Sequence, residues 1–133
     1  MNRLDLAGRV AIITGGARGI GLAIARRAVE SGATVALWDM DAPAAAAAAA
    51  ALGRASAHAL DLTREDAIAS ALAATLAAHG RVDILVNNAG ITGGNAPSWE
   101  LPPAEWRRVI EVNLIAPYLV ARAVVPAMIA AGY

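Results

Sequence analysis

Several residue types are absent from this sequence or nearly so, and each absence narrows the possible functions. There is no cysteine among the 133 residues, which excludes disulfides, thiolate metal sites and cysteine nucleophiles and fits a reducing cytoplasm. The two histidines, His58 and His79, are too few for a histidine-built centre, so we predict no metal. Eleven cationic residues balance eleven acidic ones, so no net charge attracts nucleic acid or an anionic membrane. All eleven cations are arginine, and the sequence has no lysine.

Long apolar runs are scarce as well. Hydrophobic residues make up 58% of the chain, but 36 residues are alanine, so the composition is alanine-rich rather than strongly apolar. The longest unbroken apolar run, Ala44 to Leu52, has nine residues, which is too few to span a bilayer. The first six residues lack the apolar core of a signal peptide. These features predict a cytoplasmic protein with one domain, residues 1–133.

Short β-branched segments alternate four times with helical patterns along the chain. The predicted strands are residues 10–14, 34–38, 56–60 and 82–86. The predicted helices are residues 19–31, Pro43 to Gly53, a segment that a Thr63–Asp66 capping box opens and Gly80 ends, and Pro103 to about Ala130, bent at Pro117 and Pro126. This alternation predicts an α/β fold with parallel strands, right-handed crossovers and a doubly wound sheet that stops after the fourth helix.

A glycine-rich segment, residues 14–21, joins the first predicted strand to the first predicted helix. A glycine turn there lets the backbone approach a pyrophosphate, which then lies on the N-terminus of the helix. A side chain at Gly15 or Gly19 is expected to hold the phosphates off, and one at Gly21 to push the helix from the strand. We predict that Gly15, Arg18, Gly19, Ile20 and Gly21 bind a dinucleotide, the alternative being a tight turn without a ligand.

Asp39 ends the second predicted strand, 24 positions after Gly15. A carboxylate there can accept both ribose hydroxyls of an adenosine and repel a 2′-phosphate, which favours NAD over NADP. Two alternatives stay open. Asp39 could instead cap the alanine-rich helix, although Asp41 could do that, and Arg18 could bind a 2′-phosphate or be a solvated surface charge. We predict NAD as the cofactor, with NADP less favoured.

Three further motifs follow in order along the chain. Asp61-Leu62 follows the third predicted strand, Asn87-Asn88-Ala89-Gly90 follows the fourth, and Asn113 lies within Val112-Asn113-Leu114 on the last predicted helix. Together with the Thr-Gly-x-x-x-Gly-x-Gly spacing of residues 14–21, these motifs resemble those of the short-chain dehydrogenase/reductase family, in its non-extended branch. The resemblance covers essentially the whole chain and implies a Rossmann-type fold.

The resemblance also implies roles for these residues. Asp61, with Leu62 beside it, would hold the adenine amino group, and Asn88, Ala89 and Gly90 would line the cofactor and brace the sheet. Asn113 would be the asparagine of the catalytic tetrad, which holds a water that relays protons. Each also has a structural alternative: an acid before a helix, an ordinary turn residue and a polar residue tolerated in an apolar helix.

The sequence departs from the family in its catalytic pair. The family uses a tyrosine as acid or base within Tyr-x-x-x-Lys, and a serine that polarises the substrate oxygen, whereas this chain has no lysine. Tyr118 and Arg122 have that spacing, but they share the predicted helix of Asn113, and arginine effectively never deprotonates. Tyr133 resembles part of the turn before the family's fifth strand. We therefore expect an N-terminal, cofactor-binding part of a longer enzyme, inactive alone.

The resemblance implies an NAD(P)-dependent oxidoreductase that interconverts a secondary alcohol and a ketone. A 3-oxoacyl thioester or a sugar-derived hydroxy acid is a possible substrate by analogy. Thr92, Asn95, Ser98 and Trp99 could border the substrate, or could form a solvated loop with Trp99 against the body of the protein. The resemblance further implies homo-oligomers, dimers or tetramers, of the full-length form. The alternative function is a catalytically silent dinucleotide-binding module or interaction partner.

Overall fold

A computed structural model describes residues 4–133. In it four strands form one parallel sheet, and helices follow the strands along the chain. The strands are β1 (Val10–Thr14), β2 (Thr34–Asp39), β3 (Ala55–Ala59) and β4 (Ile84–Val86), in the spatial order β3-β2-β1-β4. The helices are α1 (Gly19–Glu30), α2 (Ala42–Leu52), α3 (Glu65–His79), α4 (Pro103–Ile110) and α5 (Ala116–Ala131). All three strand pairings are parallel, which confirms the predicted α/β architecture.

Both faces of the sheet are covered by helices. Alternate residues of a strand point to opposite faces. Ile13, Val35 and Leu37 accordingly pack in one cluster with alanines of α1 and α2, and the small alanine side chains line those helix faces. Ile12, Ala36 and Trp38 belong to a second cluster with Ile68 and Ala71 of α3 and Val120 and Val124 of α5. The sheet is therefore doubly wound, as predicted.

The start of α3 differs from the sequence prediction. Thr63 was expected to cap this helix with Asp66, but the residue at the cap position is Arg64, and it makes no side-chain capping bond. The Thr63 hydroxyl instead donates to Oδ1 of Asp61 at 2.7 Å. The capping-box prediction is therefore wrong, because Asp61 captures the hydroxyl before the helix begins.

Strand β4 is shorter than the predicted segment 82–86. The backbone N–H of Val10 donates to the Asp83 carboxylate at 2.9 Å, while the Asp83 N–H donates to the carbonyl of Val10, also at 2.9 Å. A side chain thus takes one bond that a strand backbone would otherwise accept. Regular pairing with β1 begins at Ile84 for that reason.

The last predicted helix consists of two α-helices joined by a π-helical turn, Glu111–Ile115. In this turn the Ala116 N–H donates to the carbonyl of Glu111, five residues back. Pro117 lies in the first turn of α5, where its missing N–H is tolerated, and Pro126 lies inside α5. A widened turn therefore interrupts the helix just before the first of the two prolines.

The combined helix Pro103–Ala131 has 29 residues and is, within residues 4–133, the one helix long and apolar enough to cross a membrane by length and composition. One part of this helix packs as a core helix does, since Val120 and Val124 are buried against the sheet. Leu114 and Ile129 are exposed.

Two histidines share one serine hydroxyl between β3 and the end of α3. Oγ of Ser56 lies 2.9 Å from Nε2 of His58 and 2.8 Å from Nε2 of His79. A hydroxyl can donate to one neutral imidazole while it accepts from the other. Burial lowers the pKa of both histidines, and the charge of His79 lowers that of His58 further.

We expect the free energy of unfolding to fall as the pH is lowered through the histidine range. The pKa of each histidine is lower in the folded state, so the stabilising neutral forms predominate above the unfolded value of about 6.5. Their contribution is lost as the pH falls toward the folded values. Urea unfolding at pH 7 and pH 5 measures the change, and a His58→Gln/His79→Gln double variant should show a smaller pH effect. An equal pH effect in both proteins would contradict the assignment.

Candidate functional site

A cavity of about 400 Å³ opens at the carboxyl ends of the four strands. In open α/β sheets, ligands bind at this edge. Nine of the residues predicted to bind a cofactor line it: Gly15, Arg18, Ile20, Asp39, Asp61, Leu62, Asn88, Ala89 and Gly90. Gly19, Gly21 and Asn113 do not line it, although each touches or adjoins a lining segment.

The glycine-rich loop has backbone conformations that favour glycine at two positions. Gly15 has φ 61° and Gly19 has φ 54°, in the left-handed region where other residues are strained. A Cβ built on Gly19 would meet nothing within 4 Å, so the backbone there faces open space. The N-terminus of α1 begins at this point without a side-chain cap from Arg18. Its first N–H groups are consequently available to an anion.

Packing within the protein requires glycine at position 21 and gives a second reason for glycine at position 15. A Cβ on Gly15 would lie 3.0 Å from Cα of Ala89, and one on Gly21 would lie 2.3 Å from the carbonyl oxygen of Gly15. The expectation that a side chain at Gly15 would hold off phosphates is therefore incomplete, because it would first strike the segment after β4. Gly21 keeps α1 close to the loop that precedes it, in line with the expected close packing of helix and strand.

Thr14 and Asn88 tie the ends of β1 and β4 together. The Asn88 side-chain amide donates to the carbonyl oxygens of Thr14 at 3.0 Å and Gly15 at 3.2 Å. In return, Oγ1 of buried Thr14 accepts the backbone N–H groups of Asn88 at 2.9 Å and Ala89 at 3.0 Å. These bonds hold the glycine loop against the segment that forms the opposite wall of the cavity.

The Asp39 carboxylate is fixed at the end of β2 by two backbone donors. Oδ2 accepts the N–H of Ala17 at 3.1 Å, and Oδ1 accepts the N–H of Asp41 at 3.0 Å. Asp41, not Asp39, caps α2, since its Oδ1 accepts the N–H of Ala44 at 3.0 Å. The capping alternative for Asp39 is therefore excluded. Each of its oxygens keeps acceptor capacity for a ligand hydroxyl on the cavity side.

Asp61 forms a local turn at the end of β3. Its Oδ1 accepts both the hydroxyl and the backbone N–H of Thr63, at 2.7 and 2.9 Å, and these two bonds lower the pKa of Asp61. The carboxylate is therefore ionised at neutral pH and can accept hydrogen bonds only. Its second oxygen, Oδ2, has no hydrogen-bond partner among residues 4–133. The structural alternative and the predicted adenine contact are compatible, because they use different oxygens.

Asn113 binds the backbone of the loop after β4 rather than the cavity itself. Its Oδ1 accepts the N–H of Ile91 at 2.8 Å, and its Nδ2 donates to the carbonyl of Ile91 at 2.7 Å. It lies in the π-helical turn, a local distortion that is frequent at functional sites. Asn113 thus clamps the segment that contains Gly90, which packs against its Oδ1.

Tyr118 and Arg122 do not form a pair in the structure. Tyr118 is exposed, while Arg122 lies 3.9 Å from the carboxylate of Glu65 at the start of α3. This arrangement supports the interpretation that their spacing is not catalytic. Trp99 is 83% exposed, so the alternative that it packs against the body of the protein is wrong.

Several lining residues were missed by the sequence analysis. They are Trp38, Met40, Leu60, Thr63, Ile91 and Val112. Trp38 and Leu60 lie at the ends of predicted strands, and Met40 follows Asp39, so only their position next to predicted site residues could have indicated them. Thr14, whose hydroxyl bonds to the Asn88 segment, was signalled only by its place before Gly15.

The donor set fits a dinucleotide. An anion-accepting helix start, a fixed carboxylate at the end of β2 and a second carboxylate after β3 surround one cavity with an apolar wall. The Gly19 backbone faces open space at the start of α1, and its φ of 54° would strain any other residue at that position. These groups are of the kinds that a pyrophosphate, a ribose and an adenine require.

Three known proteins illustrate the similarity of this chain to others. The 2-dehydro-3-deoxy-L-rhamnonate dehydrogenase (NAD(+)) of Sphingomonas sp. (strain SKA58) is 45% identical over 127 residues, which are 96% of this chain and 51% of that protein. A metagenomic short-chain oxidoreductase (SDR) in complex with NADP is 48% identical, with a TM-score of 0.88 over 95% of this chain and 59% of that one. The 3-ketoacyl-(acyl-carrier-protein) reductase from Brucella melitensis complexed with NADH is 37% identical, with a TM-score of 0.90 over 92% and 51%.

The chain spans about half the length of the curated relatives it matches. A family model described as short chain dehydrogenase matches residues 9–133, which include all four motifs. The parallel sheet, the glycine loop and the Asn-Asn-Ala-Gly segment after β4 agree with that match. The chain belongs to the short-chain dehydrogenase family.

Proposed function

We propose that residues 1–133 form the dinucleotide-binding part of an NAD(P)-dependent oxidoreductase that interconverts a secondary alcohol and a ketone, and that NAD is the preferred cofactor. The observation that carries this proposal is the single cavity at the carboxyl ends of four parallel strands, which brings together nine of the predicted cofactor residues. When bound, a nicotinamide cofactor supplies hydride transfer at its ring.

The residues of the chain divide the binding of such a cofactor among them. The start of α1, at Gly19 and Ile20, offers N–H groups to the pyrophosphate. Asp39 accepts ribose hydroxyls and disfavours a 2′-phosphate by charge, and Oδ2 of Asp61 accepts the adenine amino group. Asn88, Ala89 and Gly90 form the opposite wall, held to β1 through Thr14.

Asn113 does not line the cavity but contacts Ile91, which does. Its side chain clamps Ile91 through two hydrogen bonds, so it fixes the course of the loop on which the reacting end of a cofactor would rest. The π-helical turn that contains Asn113 departs from the regular α-helical bonding pattern, a distortion that is frequent at functional sites. On this ground and on the family resemblance, we propose that Asn113 holds a water that relays protons.

For the substrate we propose only a chemical class. A relative named for a deoxy sugar acid and a solved structure named for a 3-ketoacyl thioester support either a sugar-derived hydroxy acid or a 3-oxoacyl compound. Both present a secondary alcohol or a ketone to the same chemistry. Homo-oligomers of the full-length form and a cytoplasmic location complete the proposal; the lack of cysteine is compatible with the latter.

A second candidate is a dinucleotide-binding module without catalytic activity. Residues 1–133 provide the cavity but no Tyr-x-x-x-Lys pair, since they contain no lysine. Turnover of a ketone with NADH by the protein, at the full length in which its source makes it, would exclude this candidate. Binding of NADH without any turnover across hydroxy acids and 3-oxoacyl thioesters would favour it.

Calorimetric titration with NADH and NADPH tests the proposed function. We expect NADH to bind more tightly, and Asp39→Asn to weaken NADH binding by about tenfold, because a charged acceptor for the ribose hydroxyls is lost. The same variant should bind NADPH more tightly than the parent does, since one repulsive charge is removed.

Glu30→Gln, at the far end of α1 and outside the cavity, serves as the matched control and should leave both affinities unchanged. Circular dichroism verifies that each variant is folded. A folded parent that binds neither nucleotide would contradict the proposal, as would an Asp39→Asn variant with unaltered preference.

A further inference from the structure

Cofactor choice at this site involves a conflict between two side chains. Asp39 disfavours a 2′-phosphate, whereas the Arg18 guanidinium lines the same cavity and is a strong phosphate ligand. Arg18 lies on the loop after β1, and without a carboxylate nearby its positive charge would attract the 2′-phosphate of NADPH. In the structure the guanidinium pairs with Oδ2 of Asp41, a residue that does not line the cavity.

Asp41 is held in place independently of Arg18. Its Oδ1 accepts the N–H of Ala44 and so caps α2, and its backbone N–H donates to Oδ1 of Asp39. The hydrogen bond from Ala44 lowers the pKa of Asp41, and the pairing with Arg18 lowers it further, so this carboxylate is ionised at neutral pH. Asp41 therefore presents a fixed negative charge to the guanidinium while the cap orients it.

The local charges indicate the consequence. Arg18, Asp39 and Asp41 together carry one positive and two negative charges at the end of β2. A 2′-phosphate adds further negative charge and meets a net repulsive group. Without the charge of Asp41, the charges of Arg18 and Asp39 would cancel, and the guanidinium would lose the carboxylate with which it pairs. The ion pair is exposed, with 68% of the Arg18 and 42% of the Asp41 side chain accessible, so no packing would keep the guanidinium in place once the charge of Asp41 is removed.

We propose that Asp41 is a positioning residue for cofactor selectivity, which holds the Arg18 guanidinium away from the place of a 2′-phosphate and so reinforces the preference for NAD. This inference rests on the proposed function. It makes Arg18 a latent phosphate ligand and places the control of selectivity on two acids, one inside the cavity and one outside it.

The test is Asp41→Asn, because asparagine caps a helix as well as aspartate but carries no charge. We expect the dissociation constant for NADPH to fall about tenfold and that for NADH to change less than about twofold. The gain in NADPH affinity should weaken with added NaCl, as expected for a contact between charges. Asp41→Ser, which also retains a capping oxygen, should behave in the same way if the first variant does not fold.

An Arg18→Ala/Asp41→Asn double variant decides whether Arg18 carries the effect. It should lose the gain in NADPH affinity while its thermal stability stays close to that of Asp41→Asn. An unchanged ratio of the two dissociation constants in Asp41→Asn, in a protein that binds NADH, would overturn this inference and leave the proposed function standing. A gain that persists in the double variant would also overturn it. Failure of the folded parent to bind either nucleotide would overturn both.

Discussion

Replacement of Asp83 by alanine should lower the free energy of unfolding by about 3–5 kcal/mol, because it removes a buried acceptor from one backbone N–H and from two partly exposed arginines. The Asp83 side chain is fully buried, and its carboxylate accepts the N–H of Val10 and the guanidinium groups of Arg81 at 2.9 Å and Arg9 at 3.3 Å. Burial acts to raise the pKa of Asp83, but its hydrogen bonds from Arg81 and Val10 lower it. Alanine would leave three donors without their acceptor.

Urea unfolding at pH 7 measures this loss, with two variants for comparison. Asp83→Asn keeps the shape and one acceptor, so we expect a smaller but clear loss of about 1.5–3 kcal/mol. Asp66→Ala removes an exposed carboxylate paired with Arg64, and we expect it to change stability much less than either Asp83 variant. If the losses for Asp83→Ala and Asp66→Ala were equal, the carboxylate of Asp83 would not have the structural role assigned to it.

Asp83 joins parts of the chain that are far apart in sequence. It lies before β4 and binds the start of β1, while Arg81 also donates to the carbonyl of Ala131 at 3.4 Å. The Arg9 guanidinium lies 3.8 Å from the ring centre of Tyr133. This cluster therefore fixes the amino ends of β1 and β4 at the edge of the sheet opposite the cavity, and sets the register in which their carboxyl ends meet.

The fold could be predicted because its signals are local and repeated. β-branched runs such as residues 10–14, glycine stops such as Gly32 and Gly53, and alternation of strand with helix each depend on a few neighbouring residues. Parallel pairing and helices on both faces then follow from the connections alone. Gly15 and Asp39 could be predicted from their places at the ends of strands, because the carboxyl ends of parallel strands meet at one edge of the sheet. Asp61 and Asn88 were predicted from the family resemblance.

The remaining features depend on contacts between distant residues. Asp83 was assigned to a strand by its apolar neighbours, and only the fold brings Val10 and Arg9 to its carboxylate. Thr63 satisfied a capping pattern, but the nearby Asp61 accepts its hydroxyl. The π-helical turn at Asn113 arises where that side chain clamps Ile91, 22 residues earlier. Local patterns carry no information about such partners.

The Gly21→Ala variant distinguishes the effect of helix propensity from that of packing, because the two predict changes of opposite sign in the free energy of unfolding. Gly21 lies in α1 without a positive φ, so propensity alone predicts a gain of about 0.5–1 kcal/mol from alanine. The new Cβ, however, would lie 2.3 Å from the Gly15 carbonyl oxygen and 2.6 Å from Nδ2 of Asn88. We expect a net loss of about 3 kcal/mol, near the upper end for overpacking, because backbone must move.

In the Gly21→Ala variant we expect the affinity for a dinucleotide to fall together with the free energy of unfolding. The Asn88 amide would have to leave the carbonyls of Thr14 and Gly15, so the loop and the opposite wall of the cavity would separate. We expect NADH affinity to drop by at least about 100-fold, measured by calorimetry at a temperature where the variant is folded.

Gly53→Ala is the control for the effect of losing a glycine elsewhere. Gly53 has φ 74° and open space around its Cβ position, so alanine there introduces backbone strain of about 1–2 kcal/mol without a clash and far from the cavity. It should weaken folding while NADH affinity stays unchanged. A Gly21→Ala protein that is more stable than the parent, or that binds NADH equally well, would show that α1 can shift away from the loop. Such a shift would mean that close packing at Gly21 does not define the site.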